Sequence, residues 1–162
     1  IVQQEIALET AHHLLIKPPV SVGQSAVFHG LFDKDLRQAV ELADALRVFL
    51  QSAAGAVLVA HHEPLERSFL QTACQRTFGK SPRFKFLDTM QMEWQRLLAQ
   101  NKVVSSDGLR LPACLHRHHL PVSQQHHALE DAYGAALLLL SQIKQTRSAS
   151  PLLRDLQQLN TG

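Results

Sequence analysis

The sequence predicts an α/β fold, a mixed sheet flanked by helices, on three observations. Ala56-Val57-Leu58-Val59-Ala60 is an uninterrupted apolar run of strand length, set between Gly55 and His61, which suits a strand buried on both faces. Helical periodicity lies on both sides of it: Leu36, Val40, Ala43, Leu46 and Leu50 share one face before it, and a segment from Pro64 to Phe78 follows, stopped by Gly79. Phe84 to Leu87 then reads as another short strand, giving the order strands, helix, strand, helix, strand, helices. Alternation of that kind is the signature of layered α/β domains.

Taken in order, residues 5–17 alternate loosely, with Ile6, Leu8, Leu14 and Ile16 apolar, and end at Pro18-Pro19. Proline cannot continue an interior strand, so one or two short strands are expected there. Asp33 or Asp35 is positioned to cap a helix reaching about Gln51. Pro64 suits the first turn of the next helix. After the strand ending at Asp88-Thr89, a helix is expected to about Gln100, then polar loop through Gly108. Residues 109–119 read as helical, with Pro112 tolerable only near the start. Residues 121–125 read as loop and 127–144 as a strong helix. Residues 145–162, rich in Ser, Gln and Asn, read as a tail or linker beside a main domain of 1–144.

Composition sets broad bounds. A chain of 162 residues, 45% hydrophobic and 19% charged, is one domain of ordinary globular balance. A net charge of +2 neither requires nor excludes a nucleic-acid partner. Cys74 and Cys114 are the only cysteines, which argues for a reducing, cytoplasmic setting rather than a disulfide framework. No apolar run approaches the roughly 20 residues that cross a bilayer. The opening Ile1-Val2-Gln3-Gln4-Glu5 has no signal-peptide pattern and no initiator methionine. It reads as the middle of a strand, so the chain is expected to be a piece of a longer polypeptide.

Two segments carry candidate chemistry. In Gln125-His126-His127-Ala128-Leu129-Glu130-Asp131, a five-residue step on one helix rotates by about 140°, so His126 and Asp131 diverge if both are helical. They converge only if His126 lies in the approach loop and Asp131 in the first turns of the helix. A loop histidine beside a helical carboxylate pairs a general base with a metal ligand; spacing alone favours the plainer reading, a capping His and a dipole-favoured Asp. In His61-His62-Glu63-Pro64-Leu65-Glu66, a buried strand delivers the chain to the sheet's C-terminal edge, where ligand sites of open α/β sheets form. Glu66 there offers oxygen ligands to a divalent cation, or simply an acidic group at a helix start.

The order V-A-H-H-x-x-L-E-x-x-F-L, then L-D-T, then L-R-L-P-A-C-L, then H-H-A-L-E-D-A resembles the DEDDh 3′-5′ exonucleases. That family includes the proofreading epsilon subunit of bacterial DNA polymerase III and has the ribonuclease H-like fold. Its third motif, H-x4-D, is matched by His126 and Asp131. Its second, A-H-N-x-x-F-D, is altered: His62 stands for Asn, Leu65 for Phe and Glu66 for Asp. Ile16-Lys17-Pro18-Pro19 and Phe28-His29-Gly30-Leu31 are similar to the family's V-x-P and H-G-I stretches, and Phe86-Leu87-Asp88-Thr89 to its strand ending in Asp-Thr. The first motif, D-x-E, has no convincing match. Ala7-Leu8-Glu9 places Ala at the Asp position and lies too close to Pro18 for the intervening hairpin. The resemblance therefore implies that D-x-E and its strand lie upstream of Ile1.

The resemblance implies a metal-dependent exonuclease acting at single-stranded 3′ ends of DNA or RNA, incomplete here, with a polymerase or another domain as a partner. It implies Mg²⁺ or Mn²⁺ in a two-metal site with Asp131 and Glu66 as ligands and His126 as base. It also implies substrate contacts at His29, Gly30 and His62. The alternative is a catalytically inactive module of the same fold that binds nucleic acid or protein. A small-molecule α/β enzyme would need a Gly-rich phosphate loop or a Ser or Cys nucleophile motif, and neither is visible. Cys114-x-His116-x-His118-His119 invites a zinc reading, but helical positions at that spacing face different directions. Lys80, Arg83 and Lys85 form a basic run that suits either phosphates or solvent.

Overall fold

The computed structural model describes residues 1, 5–19, 35–123 and 127–145. Five α-helices and two strands make up its regular part: α1 (Leu42–Ala53), β1 (Leu58–Ala60), α2 (Glu63–Phe78), β2 (Phe86–Asp88), α3 (Thr89–Ala99), α4 (Leu111–Arg117) and α5 (Ala128–Gln145). The strands pair in parallel, Leu58 opposite Phe86 and Ala60 opposite Asp88. Parallel pairing follows from the crossover through α2, since a tight turn joins only antiparallel strands.

Side chains alternate across a strand, and the alternation here builds three layers. Leu87 faces a core made with Met92 of α3 and Leu139 of α5, closed by Val57, Val59 and Ile143. Its neighbour Phe86 faces the other way, beneath the Arg67 guanidinium of α2 at 4.8 Å from the ring centroid. Phe84 continues that side, edge-on to Phe86 and to Phe49 of α1 at 6.3 and 6.1 Å. So α1 and α2 cover one face of the sheet, while α3 and α5 cover the other. A second cluster, Cys114, Leu115 and Leu138 with Leu111 and Leu120, seats α4 on α5. Gly134 sits where α5 meets α4; a Cβ there would lie 3.1 Å from Leu115 Cδ1.

The α/β class is as predicted, and three local expectations need correction. The strands expected in residues 5–17 are replaced by a 3₁₀ turn at Leu8–Thr10 and one isolated parallel bridge, Ile16 to Val40. The Thr10 hydroxyl and amide both donate to the Ala7 carbonyl, a local bond that competes with a ladder. The helix expected from Asp35 is broken into a 3₁₀ turn, Asp35–Gln38, and α1. Val40 between them is engaged elsewhere: its N–H donates to Leu15 O and its carbonyl accepts from Lys17 N. The sheet, expected to be mixed, is parallel among the described residues. Of residues 145–162, read as a tail or linker, Gln145 closes α5 and residues 146–162 lie outside the described residues. Among the described residues no helix is long and apolar enough to cross a membrane.

Candidate active site

Beyond the last ladder pair, Ala60 and Asp88, side chains continue the connection between the two strand ends. Asp88, buried at the end of β2, accepts hydrogen bonds from Met90 N (2.9 Å) and Gln91 N (3.3 Å), which caps α3. The same carboxylate accepts from His62 N (3.1 Å) and Glu63 N (2.9 Å). It thereby fixes the turn from β1 into α2, in which His62 adopts the left-handed φ of 79°. Asp-Thr at the strand end is structural, as expected. Its Thr89 is fully buried and its hydroxyl donates to Ala60 O at 3.1 Å.

His61 extends this junction to the other helical layer. Its Nε2–H donates to Leu109 O at 2.8 Å, while Nδ1 lies 2.9 Å from the Thr89 hydroxyl. Burial lowers the pKa of this imidazole, and the Leu109 bond opposes the shift only in part. In the neutral ring Nδ1 is an acceptor, so Ala60 O and Nδ1 compete for the single Thr89 hydroxyl proton. Leu109 leads directly into α4, whose Leu111 and Leu115 pack against α5 at Gly134. A continuous set of contacts thus runs from the end of β1 to the N-terminal half of α5, the two segments carrying the sequence motifs.

Glu66 lies in the first turn of α2 and is exposed. Asp131 lies in the first turn of α5, its amide bonded to His127 O, and is also exposed. Neither side chain makes a hydrogen bond or ion pair among the described residues. His62 is exposed at the N-cap of α2. His126, His29 and Gly30 lie outside the described residues. On one side of His126 the Ser123 hydroxyl donates to the Glu130 carboxylate of α5; on the other the His127 ring packs 4.6 Å from that of His13 in the N-terminal segment.

A buried polar cluster that the motifs did not indicate stands behind this region. Glu93 of α3 is fully enclosed. Its carboxylate accepts from Arg96 Nε (2.9 Å) and Nη2 (2.7 Å), Arg117 Nη1 (2.8 Å) and His118 Nε2 (2.9 Å). Burial alone would raise its pKa; the bonds from His118, Arg96 and Arg117 outweigh that and hold it far below the usual carboxylate range. Arg117 also donates to Gly108 O, and His118 Nδ1 meets the Ser141 hydroxyl at 2.8 Å, so α3, α4 and α5 share one polar joint. The Cys-His string is divided by it. Cys114 donates its S–H to Leu109 O and His118 points at Glu93, while His116 and His119 are exposed.

The exonuclease family model matches residues 2–139, most of the chain and both motif segments. The chain belongs to the exonuclease family. None of the curated proteins matches its sequence significantly. Exonuclease domains hydrolyse nucleic acid and generally use divalent metal ions. The residues described do not by themselves fit such ions, because no group of three or more His, Cys, Asp or Glu side chains among them is close enough to hold one. Two exposed carboxylates are too few to replace the hydration shell of a hard divalent cation.

Proposed function

We propose that this exonuclease is of the DEDDh type, removing nucleotides from 3′ ends of single-stranded DNA or RNA. Glu66 and Asp131 are two of the carboxylates that its Mg²⁺ or Mn²⁺ ions would require, and His126 is the general base. His62, His29 and Gly30 contact the substrate strand. Residues 1–144 form the exonuclease domain and 145–162 a tail or linker. The observation that carries this reading is the polar junction at the strand ends. His61, Asp88 and Thr89 tie the start of α2 to β2, and through Leu109 to α4 and α5. The second and third motifs are held in one framework by it, as a shared site needs.

The incomplete ligand set gives the reading a direct test. The 162-residue chain should not degrade a 3′-labelled single strand in Mg²⁺ or Mn²⁺. A longer polypeptide, with a strand bearing D-x-E ahead of Ile1, should degrade it. In that polypeptide His126→Ala should slow turnover about 10²–10⁴-fold, the usual worth of a general base. Asp131→Asn should abolish turnover with the fold intact. Cleavage by the short chain would overturn the assignment of ligands. A longer polypeptide that binds strands without cutting them would favour the inactive-module alternative.

A further inference from the structure

The sequence from 68 to 87 contains Arg76, Lys80, Arg83 and Lys85 and not one acidic residue. Among the described residues none of these four side chains has an ion-pair partner. Cations near the end of α2 stabilise the helix dipole, which accounts for Arg76 and Lys80. Arg83 and Lys85 lie beyond the helix, in the loop entering β2, and need another explanation.

The same loop borders a cleft of about 540 Å³ between the C-terminal ends of α1 and α2. Leu50, Phe78 and Pro82 give it apolar walls, and Arg47 and Lys80 stand at its margin. The Arg47 guanidinium lies 5.8 Å from the Phe78 ring centroid. A second hollow of about 390 Å³, bordered by Arg76, adjoins the first at Ser81. Apolar walls with cations along one edge match the two halves of a nucleotide, a flat base and a phosphate. Because the loop precedes β2, this surface lies at the opposite pole of the sheet from Asp88 and the candidate active site.

We propose that this pole is a second, non-catalytic contact for single-stranded nucleic acid. One base enters the cleft against Phe78 and Pro82, and neighbouring phosphates meet Lys80 and Arg83. A strand held there remains attached when its 3′ end leaves the cleavage site. The contact goes beyond the active-site reading and does not depend on it.

The test is fluorescence anisotropy of a labelled oligothymidylate with the 162-residue chain in EDTA, so that no metal site contributes. Lys80→Glu combined with Arg83→Glu should weaken binding at least about tenfold. It should also reduce the salt slope of log K by about 1.4, at about 0.7 per phosphate contact on a single strand. Circular dichroism should be unchanged, since both side chains are exposed. An abasic strand of the same length should bind more weakly than oligothymidylate. Unaltered affinity and slope in the double variant would overturn the proposal, and equal binding of the two strands would overturn the seating of a base. A nuclease reading that fails leaves this assay readable, because no cleavage is measured.

Discussion

Glu93 and the pair Glu66 and Asp131 are carboxylates of one domain with opposite surroundings. Glu93 is fully enclosed and receives four hydrogen bonds from three cationic or imidazole side chains. Glu66 and Asp131 are exposed, and no side-chain partner meets them among the described residues. A carboxylate with every lone pair engaged has no capacity left for a metal or substrate, whatever its charge. The most elaborate polar constellation among the described residues is therefore a joint between helices. The two carboxylates proposed as metal ligands are ones that make no hydrogen bond or ion pair among the described residues.

Substitutions should separate the two regions by size of effect. Glu93→Gln keeps the shape but leaves Arg96 and Arg117 without a counter-charge, each about three-quarters buried. Breaking a buried pair in this way costs about 3 kcal/mol or more, read from urea unfolding. A loss below about 1 kcal/mol would mean that the cluster relaxes toward solvent and the contrast is weaker than drawn.

Asp88→Ala removes one acceptor from four backbone N–H groups and should cost about 2 kcal/mol. Because it frees the turn before α2, amide exchange at His62 and Glu63 should accelerate more than exchange in α5. Equal acceleration throughout would show that the turn is held by something other than Asp88.

Acid should attack the same joint without mutation. Glu93 has a folded-state pKa depressed below its ordinary 4.5. Its contribution is therefore present above pH 4.5 and is lost as the pH falls below it toward the folded-state value. The wild-type chain should lose stability progressively in that window, and Glu93→Gln should lose less over the same interval. Parallel acid profiles of the two would remove Glu93 from the explanation.

Glu66→Gln and Asp131→Asn should give the smallest response, urea midpoints unmoved from wild type. A clear shift in either would make that residue structural and return it to the same class as Glu93.

These contrasts also mark what could be read from sequence. Signals acting over a few residues were legible. Gly79 ends α2 in the left-handed conformation (φ 70°), its N–H bonded to Gln75 O, as a glycine after a periodic run predicts. The run at 56–60 forms β1 at Leu58–Ala60. What failed was decided at a distance. Val40 has the period of a helix, but Leu15 and Lys17, far back in the chain, take its backbone hydrogen bonds. Glu93 and Arg96 look like a surface pair at i, i+3; Arg117 and His118, on another helix, are what bury them. Glu66 and Asp131 are proposed from motif positions alone, because no local signal distinguishes an acidic residue at a helix start that serves a site from one that serves the dipole.

The two cysteines lie on either side of the sheet, Cys74 in α2 and Cys114 in α4, and both are sealed from solvent. Burial pushes both thiols up, so each is doubly inert: out of reach and protonated. A thiol reagent therefore reacts only when the surrounding layer opens, and its rate times that event. With one thiol per layer, each layer carries its own clock, and the two halves of the fold can be timed separately in one sample.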